Sequence, residues 1–414
     1  MISTAVLLLL FAVTCWAILK RPLGIDGAWW ALFAAVGSLA SGLVTPDGAG
    51  AAVGQSADVL TFFGGLLVMA AVLQRAGAVD LLMDRLEIWA GFSTRRLLVG
   101  ILALTALVTA VLSNDAAALL LAPAVVSRVR ARGLPPAPFL LGLAVVTNSA
   151  SLLLPVSNPV NLLLLDRDHL QFAHYLVIVT PGALAGLLLS AAAVVALLWR
   201  LPTRSAPATP GRDLSNGLLV ALAALVAVLA AADVVLVVLG QPLGPPTALA
   251  ALLALVLLGR RQPGAAREAL KRARWTLLPL VVGLAVLASG LQQAHLLGEL
   301  LAPIAGAPSG PMAQARVGAS AAVLSAAINN LPTAFLFGAG LTAAHHLHAF
   351  TIPVIVGADL GPNLAPAGSL STILAFSAGD RPRERPSLRS FFKVGWIAGP
   401  VGMLATLVVA GLVR

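Results

Sequence analysis

The sequence predicts an all-α polytopic membrane protein made of two inverted repeats. Each repeat has five transmembrane helices plus one re-entrant hairpin, with broken helices at the bilayer midplane. Three observations carry this. The chain of 414 residues is 59% hydrophobic and only 10% charged, with mean hydropathy +0.97. A soluble fold of this size cannot hide that much apolar surface. Apolar spans also recur along the whole length. Finally, polar, helix-breaking clusters sit at matching places in two halves: Asn329 follows Asn114 by 215 residues, while Asp359 follows Asn148, and Pro366 follows Pro155, by 211. Such clusters at corresponding positions point to a transporter's binding site.

The spans are predicted in order at 2–19, 27–45, 59–74, 96–127 with a break, 136–165 with a break, and 173–199. The second half repeats them at 214–239, 245–259, 276–293, 312–343 with a break, 350–378 with a break, and 390–412. Most approach the roughly 20 residues that cross the hydrocarbon. The first span is not a cleavable signal, because Lys20 and Arg21 follow it and no basic residue precedes it; that order favours a retained span with the N-terminus outside. The repeats are predicted at 1–200 and 214–414, with a cytoplasmic linker at 201–213. The 75–96 segment reads as an interfacial helix, and 260–275 as a polar connector with a surface amphipathic helix.

Charge sets the topology. Residues 96–127 have Arg95 and Arg96 at one end and Arg128, Arg130 and Arg132 at the other. Both ends therefore want the cytoplasm, and a hairpin with its tip near Asn114 satisfies this; the second arm looks too short for a full crossing. With 20–21, 75–96, 128–132, 200–212, 260–274 and 381–393 cytoplasmic, 23 of the 26 Lys and Arg lie on one side. Only Arg167, Arg316 and Arg414 fall elsewhere. The net charge of +10 is thus membrane anchoring and not a nucleic-acid surface. One cysteine, Cys15, excludes a disulfide framework and a Cys-rich metal centre.

Broken helix inside a bilayer leaves backbone groups to be met by protein, water or substrate. The tips and breaks of both halves are expected to converge on one cavity. Asn114, Asp115, Asn329 and Asn330 stand where the second arm of each hairpin begins, as N-caps, and Pro332 suits a first helical turn. Positive helix ends then point towards an anion or a polar hydroxyl. Candidate substrate-binding residues are Asn114, Asp115, Asn148, Ser149, Ser157, Asn158, Asn329, Asn330, Thr333, Asp359, Gly361, Asn363 and Ser369. An acid at mid-bilayer marks function by default, so Asp115 and Asp359 are the candidate proton-coupling residues. Asp58 and Asp233, near span ends, read as solvated boundary acids. The His345, His346 and His348 group reads as a solvated loop, and no metal site or cofactor is predicted.

Ser-Asn-Asp-Ala-Ala-Ala-Leu at 113–119, Ala-Ser-Leu at 150–152, Val-Ser-Asn at 156–158, Asn-Asn-Leu-Pro-Thr at 329–333 and Asp-Leu-Gly-Pro-Asn-Leu-Ala-Pro-Ala-Gly-Ser-Leu at 359–370 resemble the arsenite efflux permeases. That family, the arsenical pump membrane proteins, falls within the ion transporter superfamily. The resemblance covers roughly residues 55–410. Its members tend to have Asp where this chain has Asn148. It implies export of arsenite and antimonite in exchange for protons across a bacterial-type inner membrane. It also implies elevator-like motion of 96–165 and 312–378 within a homodimer. Such permeases act alone or with a soluble arsenite-stimulated ATPase, and no Gly-x-x-x-x-Gly-Lys phosphate loop occurs in this chain. The residues suit the chemistry. A neutral trihydroxide needs donors and acceptors in a compact pocket, and a mid-membrane carboxyl that alternates between charged and neutral forms can carry a proton.

Three other readings stay open. A sodium/proton antiporter would use the same two acids. A dicarboxylate or sulfate carrier would want a cation at the tips, where the sequence places no Lys or Arg. A non-transporting scaffold or insertase would make the breaks mere kinks.

Overall fold

The computed structural model describes residues 2–198, 201–205, 217–293, 298–299, 301, 304 and 310–413. Most of the linker expected at 201–213 lies outside them. Among the described residues there is no β-strand. The first half runs α1 (Ile2–Lys20), α2 (Gly27–Ala40), α3 (Pro46–Gln55), α4 (Ala57–Ala76), α5 (Ala78–Ala90), the pair α6 (Thr94–Val111) and α7 (Asn114–Ala131), the pair α8 (Pro136–Ala150) and α9 (Pro159–Asp168), α10 (Phe172–Ile178) and α11 (Thr180–Leu197). The second half runs α12 (Gly217–Val238), α13 (Gly244–Arg261), α14 (Ala265–Arg272), α15 (Leu277–Gln293), the pair α16 (Pro311–Ile328) and α17 (Asn330–Ala343), the pair α18 (Leu347–Leu360) and α19 (Leu370–Ser377), and α20 (Leu388–Val413). Six described helical segments are long and apolar enough to cross a membrane, the first hairpin arm 94–111 among them.

Local chemistry sets the boundaries. Asp26, Thr45, Ser93 and Ser113 accept from the first free backbone N–H groups of α2, α3, α6 and α7. Asn158 and Ser369 do the same for α9 and α19. Gly77, at φ 83°, closes α4 in the left-handed region. The span expected at 27–45 divides: α2 stops at Ala40, and a separate, more polar helix α3 follows it.

The hairpin is present, but its arms are longer than expected. Each has 18 residues, because Arg128 and Arg130 belong to the last turn of α7, where cations suit the carbonyl end. Arm length therefore does not exclude a crossing. The two distant ends of this antiparallel pair meet. Thr94 Oγ1 donates to Ser205 Oγ at 3.1 Å, and Arg132 donates to the same oxygen at 3.3 Å.

The basic segments assemble on one face. Arg128 pairs with Asp84 at 2.6 Å, Arg132 with Glu87, Arg130 with Asp380 and Glu384 at 2.9 Å each, and Arg75 with Glu268 at 2.8 Å. The predicted interfacial helix α5 is thus docked on the hairpin through acids whose residues are buried. The halves also grip each other reciprocally. Gly65 of α4 lies against the backbone of Thr247 in α13, and Gly283 of α15 against that of Ala31 in α2. A Cβ on either glycine would come within 3.0 Å of those backbone atoms, so small residues set the approach.

Candidate functional site

The two broken helices clasp each other. Asp359, in the last turn of α18, is 1% exposed and meets the first half's break: Asn158 Nδ2 donates to its Oδ1 at 2.6 Å, and Ser151 Oγ lies 2.7 Å from its Oδ2. Asn148, near the end of α8, meets the second half's break in return. Its Nδ2 donates to Asn363 Oδ1 and Thr372 Oγ1, each at 3.0 Å, and its Oδ1 accepts from Ser371 Oγ at 3.2 Å. Asn363 Nδ2 donates to Ser149 Oγ at 3.3 Å. The first arm of each broken helix therefore ends against the second arm of the other.

Ser151 has one hydroxyl hydrogen and two acceptor neighbours, Asp359 Oδ2 and the Asn148 carbonyl, each at 2.7 Å. The carbonyl can only accept. A proton on Asp359 Oδ2, donated to Ser151 Oγ, would satisfy both contacts.

A narrow cleft runs from the basic face to this region. Arg21, Asp26, Arg274 and Thr276 line its mouth, and Asp115, Asn158, Asn329 and Asn330 its polar inner end. Both hairpin tips thus reach one cavity. Ser113, not Asn114, caps α7; Asn114 Oδ1 accepts from the backbone N–H of Asp115 at 2.8 Å. Asn329 caps α17 from φ 93° and ψ 152°, a strained backbone conformation for a residue other than glycine.

The predicted residues divide accordingly. Asp115, Asn158, Asn329 and Asn330 line the cleft. Asn148, Ser149, Asp359 and Asn363 form the clasp behind it, and Ser369 holds Ser371 at 2.6 Å. Ser157 donates to Ala110 O and Thr333 to Asn329 O, at 3.2 and 2.8 Å; both brace the hairpin turns. Gly361 is a packing residue, since a Cβ there would stand 2.3 Å from Ala322 O.

Sequence reading missed Ser151, Ser371 and Thr372, although all three lie in or beside its motifs. It also missed Arg274 and Arg21, which are remote in sequence from the tips. Arg274 stands within reach of the Asp115 charge, and its Nη1 is buried without a hydrogen-bond partner. Asp58 is likewise no solvated boundary acid: it accepts from the backbone N–H groups of Gly244 and Leu243 at 2.7 and 3.0 Å, capping α13. Among the described residues no group of three or more metal-binding side chains occurs; His348 lies 3.3 Å from Asp168.

Similarity to known proteins extends over nearly the whole chain. The arsenical pump membrane protein of Escherichia coli (strain K12) is 26% identical, and that of Yersinia enterocolitica 29% identical, each match covering 97% of both chains. The silicon efflux transporter LSI3 of Oryza sativa subsp. japonica is 29% identical over 41% of this chain and 34% of its own. Among solved structures, the Alcanivorax borkumensis YdaH transporter superposes with a TM-score of 0.57 over 99% of this chain and 97% of its own, at 16% identity, a likeness of fold alone. The family model described as citrate transporter (CitMHS) matches residues 7–359. On that match, this membrane transporter belongs to the citrate transporter (CitMHS) family.

Proposed function

We propose that the protein exports arsenite and antimonite from the cytoplasm in exchange for protons, from a bacterial inner membrane with its basic face inward. The observation that carries this reading is the cleft in which Asp115, Asn158, Asn329 and Asn330 converge. Amide groups give donors and acceptors to a small neutral trihydroxide, and one acid adds a titratable group. No thiol lines the cleft, so arsenic is not held by a soft ligand. The similarity to arsenical pump membrane proteins over 97% of the chain agrees with this substrate. Proton exchange rests on Asp115, which faces the cleft, and on Asp359, whose bond to Ser151 has room for a proton.

The two halves act as inverted repeats, divided near 201–213. Helices α5–α9 and α16–α19 move together against a frame of α1, α2, α12 and α13 with α4, α14 and α15, within a homodimer. The ion pairs fall on the two bodies in this way: Arg128–Asp84 and Arg132–Glu87 stay with the hairpins, and Arg75–Glu268 stays with the frame. Arg167 of α9 crosses the seam to Gln292 of α15, in the wall of a wide cavity away from the basic face.

Arsenite accumulation in sensitive cells with and without the protein tests the substrate. Everted vesicles under an imposed pH gradient test the coupling. Unchanged accumulation would overturn the reading.

A carboxylate carrier is the second reading, favoured by Arg274 and Arg21 at the cleft mouth and by the family description. Proteoliposome uptake of citrate that is lost in Arg274→Gln, with no arsenite flux, would establish it instead.

A further inference from the structure

Helix α12 is almost wholly Ala, Leu and Val, with one ionisable residue, Asp233. It lies five residues before the helix end at Val238, about 7.5 Å along the axis. Its residue is only 5% exposed, so the solvated boundary expected for it is not what the fold supplies. The side chain turns into a small cavity between α12 and the first hairpin. Ala110 and Val111 at the tip of α6, Leu154, Pro155 and Val156 in the break after α8, and Leu176 of α10 form the facing walls. Every one is apolar, and Asp233 Oδ1 has no hydrogen-bond partner.

A bare carboxylate in such a place is expensive and needs a partner. Among the described residues the walls carry no other titratable or charged side chain. Tyr175, the titratable neighbour of Leu176 on α10, is engaged elsewhere, donating to Leu152 O at 2.9 Å. Among the described wall residues Asp233 alone offers a side-chain oxygen. A proton needs no further ligand to neutralise it.

We propose that Asp233 is a proton-binding site on the frame side of the seam, and that its neutral form lets the first hairpin's tip and the 154–156 break dock against α12. Those two segments hold Asp115 and Asn158, so the protonation of Asp233 is linked to the position of the substrate cleft. The proposal rests on the two-body motion above but on no particular substrate. When the carboxyl is neutral, the apolar tip seals against it. When it loses its proton, the charge requires water, and the tip withdraws.

The test needs no arsenite. Val111→Cys in a Cys15→Ala background is labelled with a maleimide in purified protein across a pH series. Rates are divided by those of the same cysteine in Asp233→Asn, which cancels ionisation of the thiol. The expected ratio rises several-fold from acid to alkaline pH. Asp233→Glu, which keeps the acid, is expected to retain the rise with a shifted midpoint, and the rise persists in Asp115→Asn/Asp359→Asn. A flat ratio, or a rise abolished by the Asp115/Asp359 changes, overturns the proposal. Failure of arsenite export with the rise intact would instead count against the substrate reading alone.

Discussion

Replacing Asp359 by Asn and, separately, by Leu tests the hydrogen-bond count at the clasp. If a proton resides on Asp359 Oδ2, Asn reproduces every contact of the neutral acid. Its oxygen accepts from Asn158 Nδ2, and its amide donates to Ser151 Oγ, whose own hydrogen stays on the Asn148 carbonyl. The fold should then lose less than about 1 kcal/mol. Leu is similar in shape but accepts nothing. It leaves Asn158 Nδ2 buried without its acceptor, and Asn158 is only 1% exposed, so the cost should be about 1–3 kcal/mol. Thermal unfolding in detergent reads both variants, and pH-driven export in everted vesicles is measured beside it. The expected pattern is a stable Asn variant without proton-coupled export and a Leu variant that melts earlier. An Asn variant as unstable as the Leu variant would refute the donor count, because it would mean that the clasp holds a carboxylate. An Asn variant with normal export and normal pH dependence would remove Asp359 from the coupling.

Other outcomes follow from the same geometry. Glu87→Gln leaves the buried Arg132 guanidinium without its counter-charge and should cost about 3–5 kcal/mol. Glu268→Gln, at a solvent-screened pair with Arg75, should lower stability far less; denaturation midpoints compare them. Gly361→Ala pushes a methyl group against Ala322 O and should cost about 1–3 kcal/mol, read as an earlier melt together with reduced transport. Cysteines placed at 128–132 in a Cys15→Ala background should resist an impermeant thiol reagent in intact cells and react in everted vesicles. External labelling would reverse the proposed sidedness.

The fold class was legible from composition, because a chain this apolar has only the bilayer in which to bury its surface. The polar breaks were legible too: Asn, Ser, Pro and Gly interrupt helices through their own local hydrogen bonding and backbone limits, whatever surrounds them. That is why the cap at Asn329 and the convergence of the two hairpin tips on one cleft agree with what the sequence implied, while Ser113 caps α7 in place of Asn114. The pairing of basic segments on one face was likewise written in the positions of Arg and Lys.

Contacts between distant segments were not legible, because they depend on which faces the helices turn to one another. Nothing near Asn114 or Asn329 announces Arg274, which reaches their cleft from a different connector. Asp58 and Asp233 look alike in sequence, each near a span end. Packing gives the first two backbone donors from α13 and gives the second an apolar cavity. Ser151 gains its importance only when α18 brings Asp359 to it from 208 residues away. The residue types and their periodic placement determined the membrane fold and where its helices break. Tertiary packing alone decided which of those polar groups hydrogen-bond to one another, which brace a turn, and which face the cleft, because a side chain's role depends on the neighbours that desolvate and satisfy it.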